Sequence, residues 1–153
     1  MRRALVALLA AVSLFAACGD TESSPDTTTT TTSPVPTATE LDGRHFEVTA
    51  ATGFTIAVGS VISISFTKTA VSANAGCNGG GGEYAIKDGK LIVDALVQTE
   101  MYCEQPGVMD QEQVVFGLLG ESPEIYFVND LLTIKGKSVT LTLAEPVGGN
   151  SGN

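Results

Sequence analysis

The sequence predicts an α+β fold in which a strongly curved antiparallel sheet, an incomplete barrel, packs on one helix. Three observations support this prediction. Most of residues 41–146 alternate apolar and polar side chains with the period of a half-buried strand. The connections between these segments are short, as they are between antiparallel neighbours. One segment, residues 110–120, has apolar residues at helical spacing instead, and a curled sheet and a helix can bury their apolar faces against each other.

Residues 41–146 are assigned to one small domain, and two segments near its start alternate strictly. One face of each strand is therefore expected to be buried and the other to be wet. His45, the single histidine of the chain, falls on the wet face of the first strand. The residues expected to face the core are Phe46, Val48, Ala50, Ile62, Ile64 and Phe66.

Two sets of hairpins are predicted further along the chain. The segments "GEYAI" and "KLIVD" are separated by "KDG", and the pair Asp88-Gly89 suits the positive φ of a tight turn. Near the C-terminus, "EIYFV", "LLTI" and "SVTLTLA" follow one another across "ND" and "KGK". Connections of this length predict antiparallel neighbours.

The predicted helix spans residues 110–120, "DQEQVVFGLLG". Asp110 and Gln113 have the spacing of a capping box, and Gly120 suits a left-handed stop. The residues expected to form its apolar face are Val114, Val115, Leu118 and Leu119.

The N-terminal residues indicate export. Arg2 and Arg3 precede an apolar run that is too short for a membrane span, as in a secretory signal peptide over residues 1–17. The sequence "LFAAC" resembles the lipobox of bacterial lipoproteins, which implies cleavage before Cys18 and lipidation of its sulfur. The alternative is an ordinary signal peptide cleaved near Ala17. The expected location is the cell envelope, with the chain anchored to the membrane by lipid on the extracytoplasmic side.

Two further segments flank the domain. Residues 18–40 begin with the lipidated cysteine, are rich in Thr, Ser and Pro, and contain almost no apolar side chains. Such a segment cannot bury enough surface to offset its chain entropy, so it is expected to be a tether. Residues 147–153 are expected to form a flexible tail.

Charge argues against several classes of partner. Without Arg2 and Arg3, six Lys/Arg remain against seventeen Asp/Glu, which gives a formal charge of −11. Nucleic acid and anionic lipid headgroups would be repelled, so the expected membrane contact is the lipid on Cys18. The acidic residues are spread along the sequence, which is typical of a solvated surface.

The segment "GCNGGGGEY" and the later "TEMYC" resemble two motifs of the META/HslJ domain family. The likeness covers nearly all of residues 41–144, and "LDGRHFEV" resembles the family's opening strand, with Phe46 where a Trp is usual. The resemblance implies a cracked antiparallel barrel with one helix, often found in envelope lipoproteins and linked to heat or antibiotic stress. It implies no enzymatic activity, no catalytic residue and no cofactor. The residues that carry it are Gly76, Cys77, Asn78, Gly82, Tyr84, Thr99, Met101 and Cys103.

Cys77 and Cys103 are the cysteines that remain once Cys18 is lipidated. An even pair in an exported domain predicts a disulfide, and two buried free thiols are the main alternative. A redox dithiol or a metal site has less support, because no Cys-x-x-Cys occurs and His45 is the single histidine. We expect no metal.

The glycines of residues 79–82 do not fit a phosphate-binding loop, because no Gly-Lys-Ser/Thr follows and Glu83 and Tyr84 begin a strand. We expect Asn78 and these glycines to adopt left-handed or bulge conformations that form a hinge between two strands.

Candidate catalytic groups are few. Glu83, Glu100 and Glu104 lie near the glycines and the second cysteine in sequence, and paired carboxylates can act as acid and base. Solvated strand ends are the simpler interpretation. The aromatic residues expected to fill the core, or else to line an apolar pocket inside a cracked barrel, are Tyr84, Tyr102, Tyr126 and Phe127.

The leading functional hypothesis is a non-catalytic, lipid-anchored envelope protein that supports stress tolerance or interacts with envelope components. It is expected to be a monomer with no nucleic-acid partner; any protein partner is undefined by the sequence. The alternative is a carrier or sensor of a small apolar ligand in the barrel interior. A hydrolase that uses Glu83 or Glu100 is the third hypothesis.

Overall fold

The computed structural model describes residues 34–148, all of them within one compact unit. The predicted signal peptide, the lipidation of Cys18, most of the tether and the end of the tail lie outside these residues. The described elements, in chain order, are α1 (Ala38–Leu41), β1 (His45–Thr52), β2 (Ser63–Phe66), β3 (Ala70–Asn74), β4 (Gly79–Lys87), β5 (Lys90–Gln98), α2 (Val108–Gly120), β6 (Glu124–Val128), β7 (Leu131–Lys135) and β8 (Thr140–Ala144).

The strands form a closed barrel in sequence order, and β8 returns to pair with β1. The α+β class, with an antiparallel sheet and a packed helix, is confirmed, but the incomplete barrel is wrong. The weakest junction joins β5 and β6, whose registered pair is Lys90 with Glu124. Helix α2 occupies the chain between these two strands and packs on β5. Closure depends on pairing between the first and last strands, and local alternation carries no information about such distant partners.

The tight turns of both sets of hairpins are confirmed. Asp88 and Gly89 join β4 to β5 with φ of 52° and 74°, and Asn129 and Asp130 join β6 to β7 with φ of 51° and 63°. Positive φ at both central residues gives the turn a twist that matches that of the flanking strands.

The first strand follows the predicted alternation only as far as Val48. Phe46 is buried, but the register of β1 against β8 shifts between Val48 and Ala50. A bulge turns the following side chains over, so Ala50 is exposed and Ala51 packs against the core. The expectation that Ala50 faces the core is therefore wrong.

Apolar side chains fill the core. Phe66 meets Phe46 and Tyr84 edge to face, with ring centroids 6.2 Å and 5.4 Å apart, a favourable arrangement for aromatic rings. The largest fully buried side chains are Phe46, Phe66, Leu41, Ile62, Ile64, Leu91, Leu119, Ile125, Leu132, Ile134, Leu141 and Leu143.

Helix α2 begins at Val108, before the predicted start, and has no capping box. Its N-cap is Gly107, at φ 80°, and no side chain caps it. Gly120 lies within the helix, and the first positive φ beyond it belongs to Ser122, at 56°. Neither α1 nor α2 has the length and hydropathy to cross a membrane. The fully buried members of the predicted apolar face are Val115, Leu118 and Leu119.

The last residues of the predicted tether, 34–40, contact the domain. The Pro34 carbonyl accepts a hydrogen bond from the N–H of Phe127 at 2.7 Å. Thr37 and Glu40 form a capping box on α1, and these hydrogen bonds lower the pKa of Glu40. Leu41, which ends α1, is fully buried. The folded region therefore begins before residue 41.

Candidate functional site

Six of the eight motif residues lie in the turn between β3 and β4, residues 75–78, or are bonded to it, whereas Gly82 and Tyr84 lie further along β4. The N–H of Ala75 donates to the carbonyl of Asn78 at 3.0 Å and closes this turn. Gly76 adopts φ of 119°, and a Cβ at this position would lie 2.7 Å from the Val108 side chain and 2.9 Å from that of Gln111. Glycine is required here both by the backbone conformation and by the close approach of α2.

The glycines of residues 79–82 are extended and form the first half of β4, so the predicted hinge is wrong. They pair with β3 on one side and β5 on the other. A Cβ on Gly80 would lie 2.5 Å from the Val97 carbonyl oxygen and 2.8 Å from the Phe116 ring. The glycines thus allow close approach of neighbouring elements. A register shift does occur at Gly82, between Gly81 and Glu83, and the positive-φ residue opposite it is Ala95 of β5, at 47°.

Asn78 is buried and uses its full side-chain hydrogen-bonding capacity inside the protein. Its Nδ2 donates to the Met101 carbonyl at 2.8 Å and to the Glu112 carboxylate at 2.7 Å. Its Oδ1 accepts from the Thr99 hydroxyl at 2.7 Å and from the N–H of Met101 at 2.8 Å. An amide side chain has two donor hydrogens and two acceptor positions, and all four are occupied. Asn78 therefore ties residues 99–101 to the motif turn.

Glu112 of α2 is a buried charged residue, 5% exposed. One carboxylate oxygen accepts from the N–H groups of Cys77, at 2.8 Å, and Asn78, and the other accepts from the Asn78 side chain at 2.7 Å. These three N–H donors compensate for the loss of water. Sequence reasoning missed this residue. The available signal was its place on the apolar helix face, between Val108 and Val115.

Gln111, the preceding residue, holds a second loop against α2. Its Oε1 accepts from the N–H of Ala57 at 2.8 Å, and its Nε2 donates to Ser60 Oγ at 3.0 Å and to the Ala75 carbonyl at 2.6 Å. Ala57 and Ser60 belong to the loop between β1 and β2. Within residues 34–148, no buried side-chain nitrogen or oxygen lacks a partner. The buried polar groups at this end of the barrel therefore support its structure.

Cys77 and Cys103 form a disulfide with Cα atoms 6.3 Å apart, so the predicted bond is present in this structure. Asn78 holds the start of residues 99–103 by hydrogen bonds, and the disulfide holds the end of this segment. We call this segment, residues 99–103, the motif loop. It lies outside the strands and helices and directly follows β5.

An apolar groove of ≈ 510 Å³ lies where the motif loop faces α2, and we call it the motif groove. Met101 is 60% exposed and Tyr102 81% exposed, although Asn78 holds the backbone of Met101. The motif thus fixes the loop backbone and leaves these two large side chains at the surface. The apolar residues that line the groove are Leu96, Met101, Tyr102, Met109 and Phe116.

The four aromatic candidates do not share one pocket. Tyr84 lies in the core, as expected, and its burial raises the pKa of its hydroxyl. Tyr102 lies in the motif groove, so the expectation of a core position is wrong for it. Tyr126 is half-buried and donates to the Glu124 carboxylate at 2.8 Å, while Phe127 packs against the core cluster.

The candidate catalytic residues are dispersed. Glu83 and Glu104 are exposed, and of the three carboxylates only Glu100 lines the motif groove. His45 lies on the wet face, as predicted, with Nδ1 2.7 Å from Ser65 Oγ. In the described part of the chain, no three His, Cys, Asp or Glu side chains lie close enough to share a metal ion.

This geometry defines a small, disulfide-bonded β-barrel domain whose motif residues hold a surface loop in place. The family model of the META domain matches residues 39–147, and the chain belongs to the META domain family. The resemblance carried by the two sequence motifs is therefore confirmed.

Two solved structures share this fold. One, described only as an NMR structure of a protein, is 23% identical with a TM-score of 0.63, and the match covers 72% of this chain and 95% of that one. The other, an NMR structure of a protein from Burkholderia xenovorans, is 22% identical with a TM-score of 0.60, and the match covers 81% of this chain and 97% of that one. No curated protein matches the chain. At these identities the likeness establishes the fold alone.

Proposed function

We propose that this protein is an exported, non-catalytic envelope lipoprotein, anchored through lipid on Cys18, whose META domain is an interaction module that supports stress tolerance. The basic and apolar N-terminal sequence and its lipobox-like end support export and anchoring. The disulfide between Cys77 and Cys103 supports an oxidising compartment. The link to stress rests on the resemblance to the META/HslJ family.

One observation carries the proposal of an interaction module. The polar motif groups of Asn78, Thr99 and Glu112 bond to one another and to the backbone, whereas Met101 and Tyr102 project apolar surface into the motif groove. Exposed aromatic and methionine side chains on a fixed backbone are typical of protein-binding surfaces. The motif is therefore interpreted as a scaffold for the groove.

The same contacts favour a non-catalytic role. A general acid or base needs an oxygen within hydrogen-bonding reach of the substrate, but both carboxylate oxygens of Glu112 already accept bonds from buried N–H groups. Glu100 lines the groove without Glu83 or Glu104, so the paired carboxylates that the hydrolase hypothesis needs are not assembled there.

A carrier of a small apolar ligand is the second candidate, with its site moved from the barrel interior to the motif groove. Large apolar side chains fill the interior. The groove volume of ≈ 510 Å³ lies within the range of about 300–1,000 Å³ that small-molecule sites occupy. Displacement of an apolar dye from the groove by a lipid extract of the envelope would favour the carrier over the interaction module.

The interaction module is tested by photo-crosslinking in the producing cell. A photoreactive phenylalanine analogue replaces Tyr102 in one strain and Val58 in the control strain; Val58 is 94% exposed and does not line the motif groove. We expect discrete crosslinked protein adducts from position 102 and not from position 58. Equal adduct patterns from both positions would contradict the proposal.

The anchor is tested separately by the intact mass of the membrane-extracted protein. We expect a lipidated chain that begins at Cys18. A released chain without lipid would contradict the anchor. The crosslinking result would still decide on the interaction module.

A further inference from the structure

The motif groove is lined by two carboxylates, those of Glu100 and the buried Glu112, and by no basic residue. Apart from Asn78, every residue that lines the groove lies between positions 96 and 117. This stretch contains no Lys, Arg or His, and its acidic residues are Glu100, Glu104, Asp110 and Glu112. Its formal charge is therefore −4. The stretch that builds the groove therefore has acidic residues and no basic neighbour.

The described basic residues are engaged or placed away from the groove. Arg44 pairs with Glu145 at 2.7 Å, Lys135 with Glu124 at 3.3 Å and Lys68 with Asp42 at 3.9 Å. Lys87 and Lys90 flank the hairpin turn at the start of β5, whereas the motif loop follows its end, and Lys137 lines a different pocket. None of the described basic residues lines the motif groove. The local potential is therefore negative and repels anionic groups.

The apolar side chains supply the second half of the recognition surface. Met101 and Met109 have flexible, polarizable side chains that adapt to irregular apolar partners, and Tyr102 adds a large ring at the open side. An apolar groove beside a helix matches the geometry in which an amphipathic helix inserts its apolar face. Acidic residues beside such a groove select partners whose flanking residues are basic.

We propose that the motif groove binds a cationic amphipathic segment of a peptide or protein, with the apolar face of the segment on Met101 and Tyr102 and its basic residues facing Glu100 and the neighbouring acids. This inference rests on the proposed interaction module and names the chemistry of its partner. Anionic phospholipids have the wrong charge for this surface.

The test is a fluorescence titration of the membrane-extracted full chain in a non-ionic detergent. The probe is a synthetic amphipathic helix of leucine and lysine, about four turns long, with one tryptophan on its apolar face. The protein contains no tryptophan, so the tryptophan signal reports the peptide alone. A control peptide carries glutamate at every lysine position. We expect saturable binding of the basic peptide, weakened by added salt, and no binding of the acidic one.

Matched variants locate the site. Tyr102→Lys and Val58→Lys each introduce one lysine at an exposed position. Tyr102 is 81% exposed and Val58 is 94% exposed, but only Tyr102 lines the groove. We expect Tyr102→Lys to weaken binding at least about tenfold and Val58→Lys to leave it nearly unchanged. Glu100→Gln is expected to weaken peptide binding several-fold. Glu83→Gln, at an exposed position of β4, is expected to leave it unchanged. The melting temperature of each variant checks that it is folded.

Three results would overturn the inference. Equal loss of binding in Tyr102→Lys and Val58→Lys would show attraction by overall charge. Equal binding of the acidic peptide would show an apolar site without charge selection. Crosslinking at position 102 without peptide binding would refute this partner chemistry and leave the interaction module standing.

Discussion

Two regions of the barrel are held together by different forces. The ladder side, strands β6–β8 with β1, consists of backbone-paired strands joined by short turns, over buried side chains such as Ile125, Leu132 and Leu141. The motif side, strands β3–β5 with the motif turn and motif loop, depends on Asn78, Glu112 and a disulfide for the part that follows β5. Apolar burial is distributed over many residues, whereas the motif loop depends on a few.

The difference suggests why the motif side is the candidate functional surface. The ladder side buries most of its apolar side chains, and its exposed ones, Val128 at 48% and Leu131 at 43%, are less exposed than Met101 and Tyr102. A loop held by its backbone and by one disulfide can keep Met101 and Tyr102 exposed and still have a fixed conformation. A loop whose backbone is already fixed loses less conformational entropy on binding than a mobile loop.

Loss of the disulfide is the change to the motif side that we expect to lower the free energy of unfolding most. For a sequence separation of 26 residues, the chain-entropy model gives about 3.5 kcal/mol of stabilisation. Replacing both Cys77 and Cys103 with serine should lower the free energy of unfolding by about this amount. Urea denaturation of the variant and the wild-type protein measures it. Wild-type protein treated with reductant should approach the variant, and an unchanged midpoint after verified reduction would contradict the assignment.

Removal of the Asn78 side chain should have nearly the same effect. Asn78→Ala deletes four hydrogen bonds and leaves one carboxylate oxygen of the buried Glu112 without its donor, so we expect a loss of about 3 kcal/mol. Thermal and urea unfolding measure this loss. Asn74→Ala, at an exposed position of the same segment, is the matched control; Asn74 Oδ1 accepts from the N–H of Gly76 at 3.0 Å, so its loss should be smaller. Equal losses in the two variants would contradict the account.

The ion pair between Arg44 and Glu145 should make a contribution to the free energy of unfolding that depends on pH. Arg44 holds the pKa of Glu145 below its ordinary value by donating a hydrogen bond at 2.7 Å. A depressed carboxyl pKa contributes stability above the unfolded-state pKa, and this contribution is lost as pH falls through the folded-state pKa. The pair is partly exposed, so the contribution is below about 1 kcal/mol. The free energy of unfolding of Glu145→Gln and of the wild-type protein is measured from neutral to acid pH. The two values should differ at neutral pH and converge in acid. A difference that stays constant over this range would contradict the role of the ion pair.

The smallest expected effect on stability is that of Tyr102. The side chain is 81% exposed, so Tyr102→Ala should change the free energy of unfolding by less than about 0.5 kcal/mol. The same variant should lose most of its binding to the basic peptide. Melting temperature and peptide titration on one sample measure both. A large drop in melting temperature would place Tyr102 among the residues that support the fold.

The sequence predicted local features on both sides of the barrel and missed those that depend on distant strands. The alternation in β2 and the turns at Asp88-Gly89 and Asn129-Asp130 depend on neighbouring residues, so local rules were sufficient. Ala50 was misplaced because a bulge against β8 reverses the alternation, and a bulge depends on the partner strand. Closure of the barrel was missed for the same reason, since β1 and β8 lie far apart in sequence.

The motif side needed information that spacing does not supply. The cysteine pair was correctly joined because cysteines in exported domains usually pair. The sequence predicts a hinge at the glycines of residues 79–82, but the demand for glycine comes from the neighbouring strands and the Phe116 ring, which only the folded structure brings there. Glu112 was overlooked although a carboxylate on an apolar helix face is a readable signal.

Hydrogen exchange of the Met101 amide tests the central claim most directly, namely that the motif network holds the motif loop in place. The N–H of Met101 donates to Asn78 Oδ1 at 2.8 Å, so in the wild-type protein it should exchange far more slowly than an unstructured amide. In Asn78→Ala it should lose this protection while the amides of β7 and β8 keep theirs. Rapid exchange at Met101 in the wild-type protein, or unchanged protection in the variant, would contradict the account.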